Sequence, residues 1–211
     1  MLGPLIASGR EADVYEFGAG KVLRRYRREA DVTGEADAMR YLAGRGYPVP
    51  EVFEAAGADL VMERLTGPTM AQSLVAGELS IAEGGGLLAD LHRRLHDIQP
   101  EPGVSMIHLD LHPDNILLTE RGPVVIDWCN VRLGDGDFDL ALTALILAEV
   151  SLWDHPFAAG AGELLEAFKA RAPGDPRRLL DDAVALRSGQ TNTLTAGEIA
   201  LLGTAANLVR L

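Results

Sequence analysis

One cysteine, Cys129, stands in a chain of 211 residues, so no internal disulfide can form and small secreted scaffolds are excluded. Aromatic residues make up only 5% of the chain, which leaves the core to be filled by aliphatic side chains. Basic residues are also scarce: 19 Lys and Arg against 31 Asp and Glu give a net charge of -12, which argues against binding nucleic acid through its phosphates. No apolar run approaches the roughly 20 residues of a membrane span, and no secretory leader is visible, so a cytoplasmic protein without a membrane partner is expected. Repeats and low-complexity segments are absent too. With 47% hydrophobic residues, the chain can still bury a core of substantial size.

What the sequence does contain is concentrated in one stretch. His108-Leu109-Asp110-Leu111-His112-Pro113-Asp114-Asn115 runs into Ile116 to Thr119, and after Glu120-Arg121-Gly122 the chain continues through Pro123 to Ile126 into Asp127-Trp128. Two short apolar runs around a turn predict an antiparallel hairpin. Counting from Arg121 puts Asn115 opposite Asp127 at its open end, with Asp110 one loop upstream. An amide oxygen and a carboxylate are hard ligands that suit magnesium, and a third carboxylate beside them can orient a hydroxyl, the division of labour of phosphoryl transfer. The alternation of His108, Asp110 and His112 also admits a zinc reading. It fails for want of a further His or Cys to close the site.

The pattern His-x-Asp-x-His-x-x-Asn followed by Ile-Asp-Trp resembles the aminoglycoside phosphotransferase and choline kinase group of the protein-kinase-like superfamily. The resemblance implies Asp110 as catalytic base or hydroxyl-orienting group, Asn115 and Asp127 as magnesium ligands, and His108 as a brace of the loop. It also implies a two-lobed α+β fold, with a small N-terminal antiparallel-sheet lobe carrying one helix (residues 1–65, hinge included) and a larger, mostly helical C-terminal lobe (66–211).

The N-terminal residues supply candidates for the rest of such a site. Leu5 to Ser8 and Asp13 to Phe17 read as strands around Gly9-Arg10-Glu11-Ala12, a turn similar to the phosphate-covering loop of the group, with Gly9 nearest the phosphates. Gly20-Lys21 is no Walker loop, because the upstream Gly and following Ser or Thr are missing. On the next strand, Val22 and Arg24 share a face, and Arg24 falls where the group carries its phosphate-binding lysine. A guanidinium is planar and longer than an ammonium, so the exchange is not conservative. Glu35, in a helix expected over 34–43, is its best carboxylate partner, with Glu29, Asp31 and Asp37 as rivals. Strands at 52–54 and 60–62 lead to Glu63-Arg64-Leu65, where the resemblance implies main-chain contacts from Glu63 and Leu65 to a nucleotide base.

Helices are then expected over 70–75, 81–98, 140–152, 160–170, 176–186 and 196–209. His92 and His96 lie four apart on the second of these, but no third ligand is evident, and packing is the better reading. Gly84-Gly85-Gly86 weakens its first turns. Asp139 reads as the cap of the helix at 140, and Cys129 as a buried bystander thiol. The resulting expectation is an ATP- and magnesium-dependent phosphotransferase acting on a hydroxyl of a small molecule, an aminoglycoside-like or other cationic metabolite. GTP is the alternative nucleotide. A small atypical protein kinase or regulatory ATPase, with a protein acceptor, is the rival enzyme, and a non-catalytic nucleotide-binding pseudokinase module is the rival from another class.

Overall fold

The computed structural model describes residues 2–9, 11–154, 157–191 and 194–211, so Arg10 of the expected phosphate-covering turn lies outside the described residues. The chain divides into two compact units, Met1–Pro68 with Ile116–Val131 and Thr69–Asn115 with Arg132–Leu211. A cut after residue 65 would have left Ile116–Val131 with the helical part; it packs with the sheet instead.

The first unit is built on a five-stranded antiparallel sheet of β1 (Leu5–Ser8), β2 (Ala12–Glu16), β3 (Lys21–Tyr26), β4 (Val52–Ala56) and β5 (Asp59–Glu63), in the order β1-β2-β3-β5-β4. Two of the three inner strands, β3 and β5, are covered on both faces: Val22, Leu23 and Arg24 are buried in succession, as are Leu60 and Val61. The helix α1 (Thr33–Ala43) turns Ala36, Met39 and Leu42 inward at helical spacing. β7 (Ile116–Thr119) and β8 (Gly122–Val125) form a hairpin anchored to this unit by Leu118 N–H to the Pro68 carbonyl and Val125 N–H to the Pro48 carbonyl, both 2.9 Å. Close approach at that anchor demands glycine at position 67, where a Cβ would stand 2.1 Å from the Leu118 carbonyl oxygen. The fully buried Trp128 meets Tyr47 edge-on at 5.6 Å and donates its indole N–H to the Val125 carbonyl.

The hairpin register differs from the count made on the sequence. Thr119 faces Gly122 and Ile116 faces Val125, so the turn has two residues and its centre lies between Glu120 and Arg121. Asn115 and Asp127 are therefore not a facing ladder pair. Asn115 ends a short 3-10 turn, and Asp127 follows the strand in a left-handed conformation, φ 64°.

The second unit is mostly helical and carries a short antiparallel pair, β6 (Ser105–Ile107) and β9 (Arg132–Gly134), which the sequence had not suggested. Three helices start with complete capping boxes: α2 (Met70–Ala76) at Thr69 and Gln72, α3 (Ile81–His96) at Ser80 and Glu83, and α7 (Ala196–Arg210) at Thr195 and Glu198. α4 (Gly136–Ser151) is buried continuously from Asp139 to Glu149, as expected of a helix apolar all round, and packs against α5 (Ala158–Lys169), α6 (Leu180–Ser188) and α7. The triple glycine of α3 is a packing device, since a Cβ at Gly85 would lie 2.6 Å from that of Ala167 on α5.

α4 corrects one expectation. Its cap is Asp135, whose carboxylate accepts from the Asp137 amide at 3.0 Å, while Asp139 lies inside the first turn and is completely buried. α6 likewise starts at Leu180 rather than near Pro176.

Candidate active site

In the first unit β3 carries Arg24 to the inner end of α1, where its Nη1 lies 3.1 Å from Glu35 Oε1 and its Nη2 3.3 Å from Asp127 Oδ1. Tyr26 joins the group, touching Arg24 and donating to Glu35 Oε2 at 3.0 Å. Two of the rival acids are occupied elsewhere: Asp37 pairs with Arg40 and Asp31 accepts from the Thr33 amide. Burial disfavours the charge on Arg24, yet Glu35 and Asp127 outweigh it and hold the guanidinium above its ordinary value. Burial pushes Glu35 up, against the pull of Arg24, and the nearby Asp127 pushes the same way. Asp127 is the exposed member, with 44% of its side chain open to solvent. A cation is thus fixed between a buried carboxylate and an accessible one.

The other residues named for this part are placed as follows. Gly9 closes the β1–β2 turn, its N–H donating to the Ala12 carbonyl at 2.9 Å. Glu63 ends β5, its amide donating to the Glu51 carbonyl at 2.8 Å and its carboxylate holding Arg121 at 2.7 Å. That amide is therefore already committed within the unit, and Leu65 follows two residues later in a non-regular segment. Cys129 is exposed rather than buried. Crowding around its sulfur and the adjacent Asp127 push the thiol up, so it is no activated nucleophile.

In the second unit the loop after β6 holds Asp110, His112 and Asn115 together. Asn115 Nδ2 donates to the Asp110 carbonyl at 2.9 Å and stands 3.3 Å from Asp110 Oδ2, which leaves the amide oxygen as the free end of that side chain for a hard cation. His112 Nε2 lies 3.7 Å from Asp110 Oδ2, and His112 Nδ1 accepts from the Asp114 amide. Burial would raise Asp110, but His112 first and then His108 and Arg187 reverse it, and the carboxyl stays below its ordinary value. Such a group remains ionised at neutral pH and suits orienting a hydroxyl better than storing a proton.

The brace of this loop is a residue whose role sequence reasoning missed. Leu109 has φ 68°, a costly conformation for a buried leucine, and its amide donates to Asp139 Oδ1 at 2.7 Å while the His108 amide reaches Asp139 Oδ2 at 3.1 Å. Burial would raise Asp139, but the imidazoles beside it, with His96 Nε2 at 3.0 Å, outweigh that and hold it well below the carboxylate range. The only sequence signal was an aspartate displaced into an otherwise apolar helix, where an unpaired charge would not be tolerated.

Beyond this loop, α4 and α6 share a buried ion pair, Arg187 to Glu149 at 2.9 and 2.6 Å. Glu149 in turn feels Glu198 and Asp110. Glu198 lines a shallow cavity of about 400 Å³ together with Trp153, Asp154, Thr195 and Leu201.

Comparison with known proteins bears on the family and the fold. The family model described as "Phosphotransferase enzyme family" matches residues 3–105 and 100–180. Thiamine kinase of Salmonella typhi is 37% identical over 92 residues, a match spanning 41% of this chain and 30% of that relative's length. Among solved structures, an apo thermostable mutant of the aminoglycoside phosphotransferase APH(4)-Ia superposes with a TM-score of 0.65 at 15% identity, covering 99% of this chain and 94% of the other. A choline/ethanolamine kinase family protein from Mesorhizobium loti gives 0.62 at 17%, over 99% and 92%. The amicoumacin kinase hAmiN, solved with AMP-PNP, Ca2+ and Ami, gives 0.56 at 16%, over 98% and 87%. At these identities the structures speak for the fold, an N-terminal antiparallel sheet with a larger helical part. No described helix is long and apolar enough to cross a membrane. With the family model matched across most of its length, the chain belongs to the phosphotransferase enzyme family.

Proposed function

We propose that this protein transfers the γ-phosphoryl group of ATP, with magnesium, to a hydroxyl of a small cationic molecule. The observation that carries the reading is Arg24 held between buried Glu35 and exposed Asp127, a cation that would suit phosphate oxygens beside a carboxylate that would suit a metal. Asn115 and Asp127 fit magnesium by chemistry, since each offers a hard oxygen not consumed by its neighbours' donors. Bound magnesium would neutralise charge on the phosphates. Arg24 would bind phosphate oxygens, with Gly9 in the turn nearest them, while Glu63 and Leu65 would offer main-chain groups to the base. Asp110, fixed by Asn115 and His112, would accept the hydrogen bond of the acceptor hydroxyl and aim its oxygen.

A cationic acceptor is supported by the second unit's acids. Asp154 and Glu198 flank the half-exposed Trp153, and carboxylates beside an indole face favour organic cations. Thiamine, the substrate named for the Salmonella relative, has this character and a free hydroxyl. A cytoplasmic setting, where ATP is abundant, completes the reading.

The test is a thermal-shift titration with ATP and GTP, with and without magnesium, on the wild type and Asp127→Asn. Ligand at 100 times its Kd stabilises by about 2.7 kcal/mol. Magnesium-dependent stabilisation that disappears in Asp127→Asn supports the reading and leads to phosphate-transfer assays with thiamine, choline and aminoglycosides. No shift at millimolar nucleotide refutes it.

A further inference from the structure

His92 and His96 lie one turn apart on α3, and the fold brings to them the third ligand that their spacing alone lacked. Asp139 Oδ2 stands 3.5 Å from His92 Nδ1 and 3.0 Å from His96 Nε2, and the three ligand atoms lie within 4.8 Å of one another. Bonds of about 2.0–2.2 Å to zinc in a tetrahedral arrangement set neighbouring ligands roughly 3.3–3.6 Å apart, close to these two edges.

The protons at His92 decide what the gap needs. Thr143 Oγ1 has the Leu111 carbonyl at 2.8 Å, and the hydroxyl has one proton to give there. His92 Nε2, 2.9 Å from the same oxygen, must then be the donor to Thr143. In the neutral ring this leaves a lone pair on Nδ1, and that atom is completely buried with no hydrogen-bond partner while facing a carboxylate oxygen. Two lone pairs face each other in the interior, a repulsive contact that a cation between them would convert into two bonds.

From this geometry we propose that His92 Nδ1, His96 Nε2 and Asp139 Oδ2 form a binding site for a divalent transition metal, zinc by ligand type, directly behind the loop that carries Asp110. The outer contacts are those of a built site. His92 passes its other N–H through Thr143 to the Leu111 carbonyl, and Asp139 takes the His108 and Leu109 amides. Nitrogen and carboxylate donors in a closed site select zinc or cobalt over magnesium. The ion would enter beside His96, whose side chain is 12% exposed, whereas His92 and Asp139 are sealed. Its role is structural: it would fix Asp139 and through it the left-handed turn at Leu109.

Cobalt is the probe. Protein stripped with chelator, dialysed and titrated with Co2+ under excess Mg2+, which occupies any oxygen-rich site, should bind one equivalent. It should show the visible absorption of four-coordinate cobalt, displaced by Zn2+. His92→Gln should lose that absorption while keeping its far-ultraviolet circular dichroism; if it does not fold, His96→Gln, at the more open end, serves the same purpose. Zinc should raise the Tm of the wild type and leave the variants unmoved. A stripped wild type that takes up no cobalt and shows no zinc-dependent Tm change overturns the proposal. So does a His92→Gln protein with an unaltered cobalt spectrum.

Discussion

The two clusters of candidate residues, one in each unit, are stabilised in opposite ways. In the sheet unit Arg24, Glu35 and Asp127 hold one another by charge, and the member proposed to hold a metal, Asp127, stays open to solvent. In the helical unit Asp110 is aimed by hydrogen bonds in its own loop, and that loop is pinned from beneath by a carboxylate that no solvent reaches. The first arrangement can exchange partners: a ligand cation taking Asp127 leaves Arg24 still paired with Glu35. The second has no such freedom, because Asp139 is completely buried and holds the His108 and Leu109 amides where no outside ligand can replace them. One half is suited to receive a variable charge and the other to hold an angle.

The largest effect expected from breaking either half is on turnover. Asp110→Asn keeps the shape and the Asn115 contact but removes the charge that orients the hydroxyl, and kcat should fall by about 10²–10⁴-fold with nucleotide-dependent Tm shifts retained. If the nucleotide shift vanished as well, Asp110 would belong to binding and the contrast between the halves would fail.

Arg24→Met comes next. It strands Glu35 beside Asp127 with no cation, at a cost on the order of 3–5 kcal/mol at neutral pH if Glu35 stays charged. Burial already raises Glu35, and removing Arg24 raises it further, so the variant's folded state binds a proton that its unfolded state releases. Its stability should therefore recover as pH falls from 7.5 toward 5, read as the midpoint of urea unfolding. A flat profile would mean that Glu35 is not the stranded charge. Arg24→Lys should retain most of the stability but not both contacts, since one ammonium cannot span two carboxylates as a planar fork does.

Asp139→Asn should cost less, about 2–3 kcal/mol for weakened hydrogen bonds to a charged acceptor, measured in chelator. Its sign with pH is opposite to that of Arg24→Met. Asp139 is depressed when folded, so its contribution is present above its unfolded value near 3.8 and is lost as pH falls through the lower folded value. The variant should show a shallower loss of stability on acidification below pH 4 than the wild type.

The halves also differ in how far the sequence disclosed them. Arg24 and Glu35 could be paired because strand alternation and a helix face are local periodicities, and two of the rival acids, Asp31 and Asp37, have local partners. Asp110, Asn115 and Asp127 were legible as a spaced motif, although their relation was miscounted: a two-residue turn at Glu120-Arg121 shifts the register by one. Asp139 was misread because an aspartate before an apolar run is the signature of a cap, and nothing local distinguishes it from a residue whose partners are main-chain amides thirty positions back. β6 and β9 escaped for the same reason, being three-residue strands that pair across a long separation.

The smallest effect belongs to the neighbour of Arg24. Arg25 points the other way on β3 and makes a two-point ion pair with Asp59 at 2.6 and 2.5 Å, closer than either contact of Arg24. Distance alone would make it the stronger anchor. Both groups lie at the surface, however, where water screens them. Arg25→Ala should leave the urea midpoint, the nucleotide-dependent Tm shift and turnover unchanged within error. A measurable loss in any of the three would show that charge on β3 acts through the strand as a whole, and that the buried position of Arg24 is not what sets it apart.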